Sequence, residues 1–159
     1  MPDPETDLET RIARLEAESD IRRLKARYLN ACDAKDVDAI RACFTDDAVI
    51  DFPPIGEFGL DGLIDAFTQM AATTPIVDVH QGHNAEIEVE GDAARARWNL
   101  GYATYDPRAG SFRLLANFYN DRYRRTAGGW RICYTRSEPR AIVDGVLAED
   151  GIKANWVAG

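Results

Sequence analysis

Tyr28, Asp33 and His80 are the side chains of this chain best suited to moving a proton. The 159 residues contain two histidines, His80 and His83, both in the segment Val79-His80-Gln81-Gly82-His83. Imidazole, with an unperturbed pKa near ~6.5, is the base best matched to neutral pH. A carboxylate beside it fixes its tautomer and stabilises the imidazolium once a proton is taken up. A phenol can donate a hydrogen bond to an oxygen that gains charge. These parts do acid–base chemistry with no metal and no bound cofactor. Two readings of Asp33 and His80 stay open on pattern alone: a working pair, or a helix-end carboxylate and a loop histidine that never meet.

Spacing constrains the other candidates. Five residues separate Tyr28 from Asp33, about 140° around a helix at about 100° per residue, so they do not share a helix face. Tyr28 also belongs to the apolar stripe Ile21-Leu24-Tyr28, which accounts for it as a core aromatic. His80 and His83 point to opposite faces if their segment is extended, so they cannot ligate one metal together, and no third ligand stands nearby. Arg136 and Arg140, at the end of the last strand pattern, are candidates to meet an acidic substrate group. Cys32, Cys43 and Cys133 lie in patterned segments without a CxxC and read as small buried hydrophobes. No phosphate-binding loop, dinucleotide fingerprint or nucleophile elbow is present.

The elements that must position these residues follow from periodicity. Leu8, Ile12 and Leu15 recur at helical spacing, then the stripe slips phase around Glu18-Ser19-Asp20. This predicts an arm helix within residues 1–18, then a core helix from about Ile21 to Ala31, N-capped by Ser19 or Asp20. A short helix capped by Asp36 runs from Val37 to Phe44, a strand spans Ala48 to Phe52, a loop spans Gly56 to Gly59, and a third helix runs from Leu60 to Ala72. After Pro75 the period becomes two. Ala85-Ile87-Val89, Ala94-Ala96-Trp98-Leu100-Tyr102, Phe112 to Tyr123, and Trp130-Ile132-Tyr134 read as strands joined by Gly-containing turns. The tail, residues 141–159, has no clear pattern. Helices followed by a three- or four-strand antiparallel meander argue an α+β domain, with N-terminal helices packed on a curved sheet that forms a cone with one open mouth. Such a concavity is a natural small-molecule site.

Composition bounds the function. The length suits one domain over residues 1–159. A net charge of −8 makes nucleic acid and anionic membrane poor partners. No apolar run is long enough to span a bilayer, and Met1-Pro2-Asp3-Pro4-Glu5 is no secretory leader, so a cytoplasmic location is expected.

The segment Ile21-Arg22-Arg23-Leu24-Lys25-Ala26-Arg27-Tyr28, then Asp33, then Ala42-Cys43-Phe44-Thr45-Asp46-Asp47-Ala48, resembles the SnoaL-like branch of the nuclear transport factor 2-like superfamily. So do Asp121-Arg122-Tyr123 and Gly129-Trp130-Arg131-Ile132. The resemblance covers about Ile21 to Arg136 and implies a cone-shaped α+β barrel. Members it looks like include bile acid 7α-dehydratase, scytalone dehydratase and hexachlorocyclohexane dehydrochlorinase. By motif, the family's catalytic histidine falls on His80, its orienting aspartate on Asp33 and a catalytic tyrosine on Tyr28. Tyr102 stands where an acidic residue is expected, and the family's late arginine matches either Arg136 or Arg140.

The resemblance implies a cofactor-independent lyase acting on a hydrophobic polycyclic or aromatic alcohol, such as a hydroxysteroid. His83, Tyr102, Arg136, Arg140, Phe52 and Trp98 are the expected substrate contacts. A double-bond isomerase using the same residues, or a non-catalytic ligand-binding or dimerisation domain, stays open. A homodimer or homotrimer is expected, because Trp98, Phe112, Leu114, Phe118 and Trp130 look too many for one cone to hide.

Overall fold

Helices come first and strands afterwards, as the change of period implies. The computed structural model of the chain describes residues 8–73 and 76–158. The elements are α1 (Leu8–Ala34), α2 (Val37–Arg41), β1 (Phe44–Phe52), β2 (Gly56–Gly59), α3 (Leu60–Thr73), β3 (Val77–Glu90), β4 (Ala93–Asp106), β5 (Ser111–Thr126), β6 (Gly129–Ala148) and β7 (Gly151–Ala158). The strands form one seven-stranded sheet in the order β2-β1-β6-β5-β4-β3, with β7 also paired to β6. Only β1 and β6 run parallel. The sheet is curved and mostly antiparallel, the helices pack on its inner face, and it does not close on itself: an α+β cone.

Three local expectations are corrected. The arm and core helices are one continuous helix, α1, with no cap at Ser19 or Asp20. Leu8, Ile12 and Leu15 are exposed, so the phase slip falls outside the buried stripe, which begins at Ala17 and continues through Ile21, Leu24 and Tyr28. Neither Gly nor Pro interrupts the helix, and Glu18 pairs with Arg22 one turn on, at 3.7 Å. The segment Gly56–Gly59 is a strand rather than a loop, pairing with Val49–Phe52. The tail is ordered: β6 runs on to Ala148, the chain turns at Gly151 (φ 135°), and β7 returns beside it. The expected Asp36 cap is present, its carboxylate accepting from the Ala39 N–H at 3.0 Å. Residues 1–7, on which the reading of the N-terminus rested, lie outside the described residues. No described helix is long and apolar enough to cross a membrane.

The chain hides more of its aromatics than composition suggested. Trp98 and Trp130 are buried in its own core. Phe112 lies against Gly145, where a Cβ would come within 2.2 Å of the ring. Phe118 is covered by the guanidiniums of Arg97 and Arg140, at 4.0 and 4.6 Å from its ring.

One helix stripe locks α1 to the sheet. Lys25, Leu29 and Asp33 recur every four residues, so they share a face. Lys25 reaches the inner face of β5, where its ammonium donates to Asp121 at 2.7 Å with both side chains essentially inaccessible. Tyr123 and Thr135 also donate to Asp121, at 2.8 and 2.7 Å, and Trp98 donates to the Tyr123 hydroxyl at 3.0 Å. The Lys25 ammonium lies 3.7 Å from the Tyr119 ring centroid. One turn later Leu29 meets Gly82 of β3, where a Cβ would sit 2.7 Å from Leu29 Cδ1. Glycine at this position lets the helix lie against the strand.

Breaking a buried ion pair on one side strands a charge, which typically costs about 3–5 kcal/mol, whereas replacing both partners by packed apolar groups is often near neutral. Asp121→Ala is therefore expected to lose stability on that scale in urea unfolding, and the double variant Lys25→Met/Asp121→Leu to recover most of it. Equal losses in the single and double variants would show that the pair does not lock the helix.

Candidate functional site

The last turn of α1 carries Asp33, and a tight cap ends the helix directly after it. Lys35 adopts a left-handed conformation (φ 54°), its N–H donates to Cys32 O at 3.1 Å, and the Asp36 N–H donates to Ala31 O at 3.0 Å. These are the paired backbone bonds of a Schellman motif. The reversal sends the Lys35 ammonium back to Asp78 at 2.9 Å and to Ile76 O at 3.2 Å.

Asp33 meets His80 because helix and strand repeats match. Four residues of helix rise about 6 Å and two of strand about 6.8 Å. The contact of Leu29 on Gly82 therefore recurs one step on as Asp33 on His80. The His80 backbone N–H donates to both Asp33 oxygens, at 3.1 and 3.2 Å, and His80 Nδ1 lies 2.5 Å from Asp33 Oδ1. A carboxylate accepts, so Nδ1 carries a proton, and in the neutral imidazole the lone pair is then on Nε2. Nε2 has no protein partner among the described residues.

Tyr102, directly opposite His80 in the ladder, stacks on the imidazole with ring centroids 4.3 Å apart. Its hydroxyl donates to Asp78 at 2.7 Å. Burial, then the Asp78 carboxylate, pushes the Tyr102 phenol well above its ordinary pKa. Burial acts to raise Asp78 as well, but Lys35 and Tyr102 outweigh it and hold that carboxyl below its usual value. Tyr102 thus presents a ring to His80 and keeps its proton for Asp78.

The inner face continues along the ladders. The row His80, Tyr102, Leu115, Ile142 is followed by Gly82, Leu100, Asn117, then by Trp98, Tyr119, Ser137. The Asn117 amide donates to Ser137 at 2.6 Å, and among the described residues its buried Oδ1 has no partner. Phe52 faces the same interior, edge-on to Phe58 and Tyr119. Tyr28 is buried against Phe44, at 5.1 Å between ring centroids. Burial, followed by neighbouring Cys32 and Tyr119, raises its phenol well above the ordinary range. The helix runs past Asp33, so Tyr28 and Asp33 keep their separate faces, and no hydrogen bond or ring contact joins Tyr28 to the pair.

Three expected substrate contacts lie on the other side of the sheet. His83 is exposed on the outer face beside Gly101, because an odd number of strand residues separates it from His80. Arg136 is held outside by Asp51, at a very short contact, and by Glu138 at 2.8 Å. Arg140 covers Phe118, also outside. Strand alternation decides all three: Thr135 and Ser137 take the inward positions flanking Arg136. Trp98 is inward but sits in the packed core beneath Tyr123. The cysteines are free, and burial pushes the Cys32 thiol up to about 12, which disfavours the thiolate at neutral pH. Among the described residues no three His, Cys, Asp or Glu side chains gather as a metal site.

Sequence reasoning missed Asp78, Lys35, Asn117 and Ser137. Asn117 and Ser137 are polar residues at inward positions, paired with Leu100 and Tyr119 across the ladders.

A SnoaL-like domain model matches residues 13–136. The chain belongs to the SnoaL-like family. An uncharacterised protein of Mycobacterium tuberculosis strain H37Rv is 30% identical over 128 residues, covering 76% of this chain and 84% of that protein. A provisionally named aromatic ring hydroxylase from Novosphingobium aromaticivorans superposes with a TM-score of 0.71 at 25% identity, over 89% of this chain and 94% of that one. Hexachlorocyclohexane dehydrochlorinase LinA-type3 from Novosphingobium barchaimii superposes with a TM-score of 0.72 at 19% identity, over 93% and 94% of the two chains. At that identity the likeness is one of fold.

The tautomer of His80 is directly measurable. In ¹⁵N-resolved NMR of the wild-type protein at neutral pH, His80 should show a protonated Nδ1 and a bare Nε2. Asp33→Asn, whose amide offers a donor to the ring, should shift the population toward the Nε2-protonated form. A wild-type His80 already protonated on Nε2 would contradict the assignment.

Proposed function

We propose that this SnoaL-like protein is a cofactor-independent lyase in which His80 is the general base. The supporting observation is the Asp33–His80 hydrogen bond, which holds a proton on Nδ1, so that in the neutral ring Nε2 is the acceptor on the inner face of the cone. The inner face around it is largely apolar, through Phe52, Leu115 and Ile142, with a few polar groups at Tyr28, Tyr119, Ser137 and Asn117. That mixture suits a hydrophobic polycyclic or aromatic alcohol with one or two oxygens to recognise.

In this reading His80 Nε2 takes a proton from a carbon made acidic by a neighbouring carbonyl or enone. Asp33 stabilises the imidazolium that results. The electron pair of the broken C–H bond forms the new double bond as the C–O bond to the β-hydroxyl breaks, and the imidazolium returns the proton to the departing oxygen, releasing water. Tyr28, kept neutral by burial, donates to the carbonyl oxygen as charge builds there, together with its neighbour Tyr119. Returning the proton to carbon instead would move a double bond, so isomerisation uses the same groups. Among fold relatives, the dehydrochlorinase name also describes an elimination.

A turnover screen over hydroxysteroids and aromatic β-hydroxyketones tests the assignment. His80→Ala should nearly abolish turnover on any substrate found. Asp33→Asn should be severe but less so, and Tyr28→Phe should lose about 10²-fold, as for one oxyanion donor. A folded His80→Ala protein that retains the wild-type rate would refute the mechanism.

We further propose that the chain is a homodimer or homotrimer. The support is apolar surface its own fold leaves uncovered: Leu8 and Leu15 on α1, and Ile152 and Trp156 on β7, each more than 60% exposed. Sedimentation velocity at micromolar concentration should show a species larger than the 17.7 kDa monomer. A single monomeric species would count against it.

A further inference from the structure

Arg23 and Arg27 stand one turn apart on the exposed face of α1, and Arg131 opens β6 across from them. With Asn30, Trp130 and the Gly128-Gly129 turn they line a groove of about 530 Å³ between the helix and the β5–β6 turn. This is not the face that carries Lys25, Leu29 and Asp33, so the groove is separate from the His80 site. Among the described residues, none of the three guanidiniums has a carboxylate within ion-pair distance. Asp20 is the one acid on the groove, and it pairs with none of them.

The chain carries eight more acidic than basic residues, so carboxylates are not scarce. Elsewhere several arginines hold them, as Arg113 does Asp144 and Arg124 does Asp47. Three like charges brought together repel unless something of opposite sign lies among them. Arg131 is also held rather than free. It donates to the Trp130 carbonyl at 2.9 Å and lies over Gly128, where a Cβ would meet its Nη2 at 3.1 Å.

A second observation is independent of charge. Trp130 is 4% exposed, yet among the described residues its indole N–H has no partner. Buried tryptophan N–H groups usually find an acceptor. The groove therefore gathers guanidinium donors from a helix and a strand, with Trp130 in its lining. A carboxylate has two oxygens and is satisfied by a single guanidinium fork. A phosphoryl group offers three or more acceptor oxygens in a tetrahedral array, which suits donors arriving from several directions.

We propose that the groove between α1 and the β5–β6 turn binds a phosphate-bearing small molecule, its phosphoryl oxygens taken by Arg23, Arg27 and Arg131, with Trp130 in the groove's lining as the reporter.

The test is a titration of the full chain with inorganic phosphate at constant ionic strength, followed by the Trp130 indole cross-peak in ¹H–¹⁵N NMR. The expected result is a saturable shift of that peak with half-saturation at or below about 1 mM, while the Trp98 and Trp156 indoles stay still. Arg27→Gln and Arg131→Gln, each confirmed folded by spectral dispersion, should each weaken binding by about tenfold, as expected for loss of a charge-assisted hydrogen bond. Arg140→Gln, on the outer face of the sheet, should leave it unchanged. Pyrophosphate should bind more tightly than phosphate, and citrate more weakly. The proposal is overturned by no saturable shift up to 20-fold that concentration, by citrate binding more tightly than phosphate, or by affinity indifferent to both arginine variants.

Discussion

The four-residue stripe of α1 that meets the inner face of the sheet is the contact on which the rest of this structure depends. Lys25, Leu29 and Asp33 dock in turn on Asp121, Gly82 and His80. Each contact has a different physical character. The first is a buried ion pair with every oxygen of Asp121 occupied. The second is a close steric approach that only a residue without a side chain allows. The third is a hydrogen-bonded carboxylate–imidazole pair at the edge of the interior. The first two hold the helix at a fixed depth and rotation, and the third inherits that placement. The proton-transfer pair is thus built on two rigid elements rather than on loops, which is what keeps a hydrogen bond short and its tautomer defined.

Around the pair the sheet divides its residues by alternation. Inward positions carry apolar side chains and a few hydroxyls and amides, and outward positions carry most of the charge. Arg95 with Glu88 and Arg136 with Asp51 and Glu138 are outside. Such exposed pairs contribute little to stability, but they keep polar groups out of the interior. Tyr102 joins two inward neighbours on β3. Its ring supports His80 while its hydroxyl is committed to Asp78, itself held by Lys35 at the helix cap. The Lys35 reversal thus both ends α1 and braces the strand that presents the imidazole.

Much of the architecture was legible in the residues. Apolar spacing identified the Ile21-Leu24-Tyr28 face, and period-two alternation identified the strands through Trp98, Tyr119 and Trp130. The candidate pair came from the family resemblance, since the residue pattern alone left open a helix-end carboxylate and a loop histidine that never meet. The errors have common causes. The α1 phase slip looked like a helix boundary because exposed apolar residues carry the same periodic signal as buried ones. The tail looked unpatterned because β7 lies at an edge with its described side chains exposed, so no face of it had to be apolar.

Local sequence determined the element types, the order of helices before strands, the Asp36 cap and the opposite facing of His80 and His83, since each depends on neighbours a few residues apart. Tertiary structure alone decided the rest. Whether Lys25 would be buried depended on Asp121, 96 residues away. Whether Asp33 would cap a helix at the surface or hold an imidazole depended on His80, 47 residues away. Whether Arg136 and Arg140 would face a substrate or the outside depended on which side of β6 received the helices. A charged side chain takes its role from the partner that desolvates or neutralises it. That partner is set by strand pairing and helix docking, which no short-range pattern encodes.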